Sequence, residues 1–205
     1  MIENLFVTPV YHHTLSLEKL QAVSQEIEEA LNNVRQSNLT NPWQDGVKTT
    51  FKYNMPHNND VIKHKLNFLQ TNIFDHIIIY LKELGIQQPC KIDLIESWFN
   101  FGGSGAYQAV HNHFNSTLSA VYYHQTNEQD GDICFRSPCS SHSAFPFWRM
   151  ANALGVKDGV VYTPRVGKLI IFPSYLLHSV YENKTEHERI SIAFNFIVTS
   201  HSQDI

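Results

Sequence analysis

After Pro89 the sequence becomes a succession of short runs of β-branched and aromatic residues, separated by clusters of Gly, Pro, Asn and Ser. Such runs predict strands, and their close spacing favours an antiparallel sandwich or jelly roll over a parallel α/β sheet. The eight expected strands are residues 91–100, 106–113, 117–125, 131–136, 159–162, 167–172, 178–182 and 189–198. Any fold assigned to this chain must therefore contain a β-rich core in its second half.

Residues before Pro89 have the apolar spacing of amphipathic helices. Apolar side chains recur at three- and four-residue steps over 17–34 and again over 66–84. Asn59 or Asp60 is expected to begin the second helix, and Gly85 to end it. Between the helices we expect an irregular loop or a short edge strand. The predicted class is α+β, mainly β, with the N-terminal helices packed on the major sheet of a jelly roll.

Length and composition narrow the class of protein. A chain of 205 residues suits a single domain, with mostly helical support in 1–89 and the jelly-roll core in 90–198. Fifteen basic and nineteen acidic side chains offer no electrostatic footprint for nucleic acid. The apolar runs are too short to cross a bilayer, and no signal peptide is recognisable. Three cysteines without paired spacing fit a reducing compartment, so we expect a cytoplasmic protein.

Two of the twelve histidines, His111 and His113, have the spacing of a metal chelate. Side chains at positions i and i+2 of a strand lie on the same face, so both imidazoles can reach one point. Imidazole binds iron, zinc, copper and nickel alike. On its own this pair is a weak signal, because two nearby histidines arise readily by chance.

A second segment strengthens the hypothesis of a metal site. The apolar run 167–172 leads through a Pro-Ser turn to His178, and Arg189 and Ser191 follow at the start of the last strand. By the same period of two, Arg189 and Ser191 share a face. An arginine beside a hydroxyl group is suited to holding a carboxylate through charge-assisted hydrogen bonds.

Taken in order, these residues resemble the 2-oxoglutarate- and iron(II)-dependent oxygenases. The resemblance is greatest to small members with a helical N-terminal part and a late double-stranded β-helix, a cupin-like jelly roll. It covers roughly residues 90–198, and the opening 6–11 more loosely. The matching pieces are Trp98-Phe99-Asn100, His111-x-His113, Ser119–Tyr123, Gly167 with Phe172-Pro173, His178 and Arg189-x-Ser191.

The resemblance implies the following site. His111, His113 and His178 bind Fe(II), while Arg189 and Ser191 bind the far carboxylate of 2-oxoglutarate. Tyr123 is expected at the same cosubstrate, with its neighbour Tyr122 as the alternative, and Asn100 in the pocket wall. The implied reaction consumes O₂ and decarboxylates 2-oxoglutarate to succinate, coupled to oxidation of a C–H bond, most simply a hydroxylation. The substrate is expected to be a small molecule or a protein side chain.

One residue departs from the family pattern. Most members have Asp or Glu two residues after the first histidine, where this chain has His113. Either His113 is the third ligand, or it lies nearby while a water or the substrate takes the place of the carboxylate. Two alternative functions stay open: a three-histidine, cupin-type dioxygenase without 2-oxoglutarate, and a non-catalytic jelly-roll binding module. The aromatic insertion 137–158 is interpreted as a substrate lid or an oligomer contact.

Overall fold

A computed structural model describes residues 7–52, 58–138 and 159–200. The elements are β1 (Tyr11–Thr14), α1 (Leu17–Gln36), β2 (Val47–Thr49), α2 (Asp60–Lys63), α3 (Asn67–Glu83), β3 (Cys90–Gly102), β4 (Gln108–His111), β5 (Leu118–Gln125), β6 (Ile133–Arg136), β7 (Gly159–Tyr162), β8 (Lys168–Pro173), β9 (His178–Val180) and β10 (Arg189–Ser200). All eight predicted strands are confirmed, with bounds that differ from the expected ones by no more than two residues. The interpretation of 137–158 as a lid or an oligomer contact falls almost entirely outside the described residues.

Two antiparallel sheets form the core, as in the predicted double-stranded β-helix. The larger sheet has six strands in the order β1-β8-β5-β10-β3-β2, and the smaller has four in the order β4-β9-β6-β7. Between them lies an apolar cluster that includes Ile170 and Phe172 of the larger sheet and Ile133 and Phe135 of the smaller. Alternation along each strand leaves the other face of the larger sheet for the helices.

The helices pack on that outer face, as predicted. Val23 and Ile27 of α1 and Ile73 of α3 are buried in one cluster with sheet residues such as Phe99 and Phe101. Removing these side chains from water supplies most of the favourable free energy that holds the two layers together. None of the described helices is both long enough and apolar enough to span a membrane. The outer layer therefore leaves the inner face of the larger sheet available for a site.

Prediction and structure differ at the second helix. The helix expected from residue 60 to 84 is interrupted, because α2 ends at Lys63 and α3 begins at Asn67. Lys65 has a left-handed backbone conformation, with φ of 55°. A carboxylate of α1 stabilises the restart: Glu26 accepts hydrogen bonds from the backbone N–H groups of Phe68 and Leu69, at 2.9–3.2 Å. A negative charge at the first turn of a helix is favourable. The expected end at Gly85 is confirmed, since that residue has φ of 82° directly after the C-cap.

Candidate functional site

Three histidines converge at one end of the smaller sheet. His111 is the last residue of β4 and His178 the first of β9, and the two are direct partners in the antiparallel register. Their ring centroids are 4.3 Å apart, and His113 lies 5.4 Å from His111 and 5.2 Å from His178. One ring nitrogen from each residue lies within 4.8 Å of the others. The spacing suits a single metal ion.

The path by which His113 reaches this cluster differs from the prediction. We expected a strand through residue 113, with His111 and His113 on one face, but β4 ends at His111. His113 lies in the following loop, where its backbone N–H donates to the carbonyl oxygen of Ser174 at 2.9 Å. That hydrogen bond ties the loop to the turn before His178. The two histidines therefore come together through the loop rather than through strand periodicity.

Protonation and hydrogen bonding prepare the histidines for a metal. Burial is the main cause that lowers the pKa of all three, and the pKa of His113 falls to about 4. All three rings are therefore neutral at physiological pH, as metal ligation requires. Nδ1 of His111 donates to the Ala109 carbonyl at 2.7 Å, and Nδ1 of His178 donates to the Leu176 carbonyl at 2.9 Å. These bonds leave Nε2 of both rings with a lone pair for the metal.

His113 has a different hydrogen-bond partner. Its Nδ1 lies 3.4 Å from the Nδ2 amide nitrogen of Asn195. Nδ2 also donates to Glu96 at 2.9 Å, while Oδ1 of Asn195 accepts from Ser119 at 2.9 Å. In this orientation the amide donates to Nδ1 of His113, which places the ring proton on Nε2. Reversal of the amide would place Oδ1 beside Nδ1 and release Nε2 for a metal, but Oδ1 would then also face the Glu96 carboxylate, which accepts from Nδ2 in the present orientation. Glu96 and Asn195 therefore control which nitrogen His113 presents.

The residues predicted to bind 2-oxoglutarate lie side by side on the inner face of the larger sheet. In the register of three neighbouring strands, Ser191 of β10 is paired with Asn100 of β3 on one side and with Tyr123 of β5 on the other. All three are buried. Within the described residues, Oδ1 of Asn100 has no hydrogen-bond partner. An unsatisfied buried polar atom beside a hydroxyl group and a phenol is typical of a binding site.

Arg189 lies two residues before Ser191 in β10, on the same face of the sheet, and is 4% exposed. Its Nη1 donates to the carbonyl oxygens of Asp130 and Gly131, and no described residue accepts from its Nε or Nη2. Burial lowers the pKa of Arg189, and nearby Tyr123 and Asp130 act in the opposite direction. A guanidinium group stays protonated in such surroundings. The molecule thus buries a cation whose remaining donors are available for an anion.

A narrow cavity of about 40 Å³ connects the two groups. It is lined by all seven residues predicted for the site: Asn100, His111, His113, Tyr123, His178, Arg189 and Ser191. The alternative tyrosine, Tyr122, belongs to the core under the helices, and its hydroxyl group has no partner among the described residues. The structure therefore places Tyr123 rather than Tyr122 beside Arg189.

The sequence of this region identifies its family. Residues 96–195, just under half of the chain, match the model of a family described as "Putative 2OG-Fe(II) oxygenase". This segment belongs to the 2OG-Fe(II) oxygenases. It contains all seven residues that line the narrow cavity. No curated protein sequence matches this chain.

Solved structures of low sequence identity share the fold of this chain. HygX from Streptomyces hygroscopicus, with nickel and 2-oxoglutarate bound, is 16% identical with a TM-score of 0.57, over 92% of this chain and 82% of that one. A prolyl-4-hydroxylase from Pseudomonas putida is 15% identical with a TM-score of 0.58, over 94% of both chains. The carbocyclase SnoK of nogalamycin biosynthesis is 14% identical with a TM-score of 0.62, over 94% of this chain and 82% of that one.

Iron and 2-oxoglutarate are the cofactor and cosubstrate of this family, and related folds have been crystallised with both. The donors of the present chain fit these groups. Two neutral imidazoles with available Nε2 atoms, and a third nearby, suit Fe(II). A buried guanidinium group beside an unsatisfied amide oxygen and two hydroxyl groups suits a diacid. The predicted cofactors are therefore confirmed at the level of the family and are consistent with the site.

A second, larger cavity of about 580 Å³ opens beside His111 and His113. Trp98, Gln108, His111 and His113 line both cavities, so the larger one leads to the metal site. Its outer wall includes four residues that sequence reasoning did not identify, namely Trp43, Asp45, Phe51 and Glu96. The first three lie in the segment expected to be an irregular loop or a short edge strand, which contains β2. No local sequence pattern there indicates that its side chains line a cavity.

Proposed function

We propose that this oxygenase is a hydroxylase that oxidises a C–H bond of a small molecule or a protein side chain. The observation that carries the proposal is the arrangement around one narrow cavity, with three histidines at one end and a buried arginine at the other. A diacid such as 2-oxoglutarate could place one carboxylate at the metal while the other meets Arg189, since both groups line the same cavity. We further propose that residues 1–205 form one domain of this kind.

At the metal end, His111 and His178 each provide Nε2, and His113 provides the third nitrogen. The backbone carbonyls of Ala109 and Leu176 fix the first two rings through Nδ1. When bound together, Fe(II) and 2-oxoglutarate activate O₂ for oxidation of the substrate, with succinate and CO₂ as coproducts. Because His111 and His113 also line the larger cavity, a substrate bound there would lie next to the metal that these residues would hold.

At the other end, Arg189 holds the far carboxylate of 2-oxoglutarate with Nε and Nη2. The hydroxyl groups of Ser191 and Tyr123 donate to the same carboxylate. Asn100, on the side of Ser191 opposite Tyr123, orients the ligand. Because this pocket excludes water, each charge-assisted hydrogen bond is worth more than it would be at the surface. Burial also raises the pKa of Tyr123, so its hydroxyl group stays protonated and can donate.

An anaerobic titration tests the proposal. Fe(II) and then 2-oxoglutarate are added to the metal-free protein while visible absorption is recorded. We expect a weak charge-transfer band that neither component gives alone. Arg189→Ala should keep iron but lose most 2-oxoglutarate affinity, Arg189→Lys should retain part of it, and Arg165→Ala, at an exposed arginine, should behave as the native protein.

The result also separates the proposal from its competitors. Iron binding without the band, at any concentration of 2-oxoglutarate, would favour a three-histidine dioxygenase that does not use this cosubstrate. The neutral histidine set supports that second candidate, but it leaves Arg189 without a role. Failure to bind iron would leave a binding module with an oxygenase fold.

The surroundings that we propose follow from the same chemistry. A reducing compartment such as the cytoplasm keeps iron in the Fe(II) state, and Cys90 and Cys134 are both unpaired. The described surface of the larger cavity carries carboxylates and no Lys or Arg, which does not suit a nucleic acid. We therefore propose a cytoplasmic enzyme with a substrate other than nucleic acid.

A further inference from the structure

The larger cavity combines aromatic rings with acidic groups. Trp43 and Phe51 stack at 5.5 Å between ring centroids, Phe51 lies 5.1 Å from Trp98, and Trp98 lies 5.9 Å from His113. These rings form a continuous apolar wall that leads from the opening to the metal site. At the opening, Phe114 is 88% exposed and extends the wall outward. A ligand with an apolar or aromatic body fits such a surface.

Two carboxylates face the same cavity. Asp45 is 4% exposed, and its Oδ1 accepts from the backbone N–H of Val47 at 3.0 Å. Glu96 is half-buried, and among the described residues its one hydrogen bond is from Asn195 to Oε2. Neither belongs to an ion pair among the described residues, and the described lining contains no Lys or Arg. Carboxylates without a counter-ion in a partly buried cavity attract a cation.

The other groups that face the cavity do not supply that cation. His111 and His113 belong to the cluster assigned to the metal, so their ring nitrogens are committed to that ion. Fe(II) and the dianion of 2-oxoglutarate together add no net charge. The remaining polar lining consists of uncharged amides and a hydroxyl group, at Gln108, Asn112, Asn115, Ser116 and Asn195.

We propose that the larger cavity binds a substrate whose apolar body carries an organic cation, an ammonium or a guanidinium group. This inference rests on the hydroxylase function proposed above and names its substrate class. The cation lies in the cavity that Asp45 and Glu96 line, beside its aromatic rings, and the apolar body follows the aromatic wall. Cation–π contact and carboxylate attraction then act on the same group. A free amine and a basic side chain of a peptide share this chemistry.

A buried indole group supports this interpretation. Nε1 of Trp98 is buried and has no acceptor among the described residues, although its ring lines the cavity. A substrate with an acceptor atom near its cationic group would satisfy this N–H group. A buried N–H group without an acceptor costs free energy, which an acceptor atom on a bound ligand would recover.

The test compares ligands of equal shape and different charge. The probes are 2-phenylethylammonium, its neutral counterpart 2-phenylethanol and the anion 3-phenylpropionate, each titrated by calorimetry into protein with and without Fe(II) and 2-oxoglutarate under anaerobic conditions. We expect the ammonium compound to bind at least about tenfold more tightly than the alcohol, and the anion to bind least. Equal affinity for the ammonium compound and the alcohol would overturn the proposal.

Isosteric variants assign the effect to the two carboxylates. Asp45→Asn keeps an acceptor for Val47, and Glu96→Gln keeps an acceptor for Asn195, so both should fold. Each should reduce the preference for the ammonium compound by about tenfold. Asp93→Asn removes one charge from an exposed residue of the same strand as Glu96 and should leave the preference unchanged. A preference that survives in the double variant, with weaker iron binding instead, would show that the carboxylates serve the metal and would refute the proposal.

Two further measurements distinguish a peptide side chain from a free amine, and the cation site from the hydroxylase function. Acetyl-lysine methylamide, compared with acetyl-norleucine methylamide, tests whether a peptide side chain satisfies the site as well as a free amine does. Either source supports the substrate class, provided that the charged member of the pair binds more tightly. If the metal-free protein prefers the ammonium compound but no charge-transfer band forms with 2-oxoglutarate, the proposed hydroxylase function fails while the cation site stands.

Discussion

Replacing Gly102 with alanine isolates the role of Arg189 without changing Arg189 itself. Gly102 is paired with Arg189 across β3 and β10. A Cβ atom at Gly102 would lie 3.1 Å from Nη2 of Arg189 and 3.6 Å from Cζ. Since comfortable contacts begin near 3.4 Å, the guanidinium group must move by a few tenths of an ångström. Nη2 is one of the donors that we assign to 2-oxoglutarate.

The size of the effect follows from the bond that is disturbed. A hydrogen bond to a charged group contributes about 1.5–3 kcal/mol, and the shift should remove roughly half of it. We therefore expect the Kd for 2-oxoglutarate to rise by about three- to tenfold, because about 1.4 kcal/mol corresponds to a factor of ten. The free energy of unfolding should change by less than about 1 kcal/mol, since Gly102 has no positive φ and alanine loses less backbone entropy on folding.

Gly103→Ala is the matched control. It adds the same methyl group one residue away, where a Cβ atom meets nothing within 4 Å and the backbone is again not left-handed. Affinity for 2-oxoglutarate would be measured from the anaerobic charge-transfer band, and stability from urea unfolding. If the two variants bound 2-oxoglutarate equally tightly, Arg189 would not be its anchor. A loss of several kcal/mol of stability in Gly102→Ala would contradict the local nature of the change.

Three other expectations can be measured with the same methods. His113→Asp should still bind iron in equilibrium dialysis, because a carboxylate restores the common ligand set. His111→Ala and His178→Ala should abolish iron binding in the same assay. Loss of iron in His113→Asp would contradict the role of His113 as third ligand. Tyr123→Phe should weaken 2-oxoglutarate binding. Tyr122→Phe removes a buried hydroxyl group that has no partner among the described residues, so this variant should unfold at an equal or higher urea concentration. If Tyr122→Phe and not Tyr123→Phe weakened 2-oxoglutarate binding, Tyr122 would be the tyrosine at the cosubstrate. Burial, with smaller contributions from His13 and Lys19, lowers the pKa of His76 from 6.5 to about 4. The unfolded chain therefore takes up the proton first, so the stability that neutral His76 contributes is complete above pH 6.5 and is lost as pH falls toward 4. Urea unfolding of His76→Gln should show a flatter pH dependence over this window, and an unchanged slope would refute the assignment.

The β-rich half of the chain was predictable because each strand carries its own local signal. Runs such as Lys168–Pro173 are apolar and β-branched, and turn residues mark where they end. β1 carries no such signal, since three of its four residues are exposed and only Tyr11 packs against the core. Tertiary pairing with β8 makes it a strand. The break between α2 and α3 was equally hidden, because Leu66 continues the apolar spacing while Glu26 of another helix stabilises the new start.

The candidate site, like the fold, was predictable only in part. His111, His178, Arg189 and Ser191 were identified from strand periodicity and from the family resemblance, and register places them as expected. His113 was expected in the same strand as His111, and that expectation is wrong because the strand ends earlier. No sequence signal marked Asp45 and Glu96, since an acidic residue becomes a candidate for binding a cationic substrate only when the fold brings aromatic rings beside it. Long-range placement of this kind is not encoded in local spacing.

Strand β1 has a practical consequence for handling the protein. It covers the outer backbone edge of β8, the strand whose Leu169–Phe172 segment is continuously apolar. Without β1, that edge would present unpaired N–H and C=O groups along a run of high β-propensity, which is a template for intermolecular strand addition and aggregation. A shortened chain that begins after Thr14 would therefore lose solubility before it lost any residue of the metal site. Affinity tags are better joined through a linker that leaves the β1 segment able to pair.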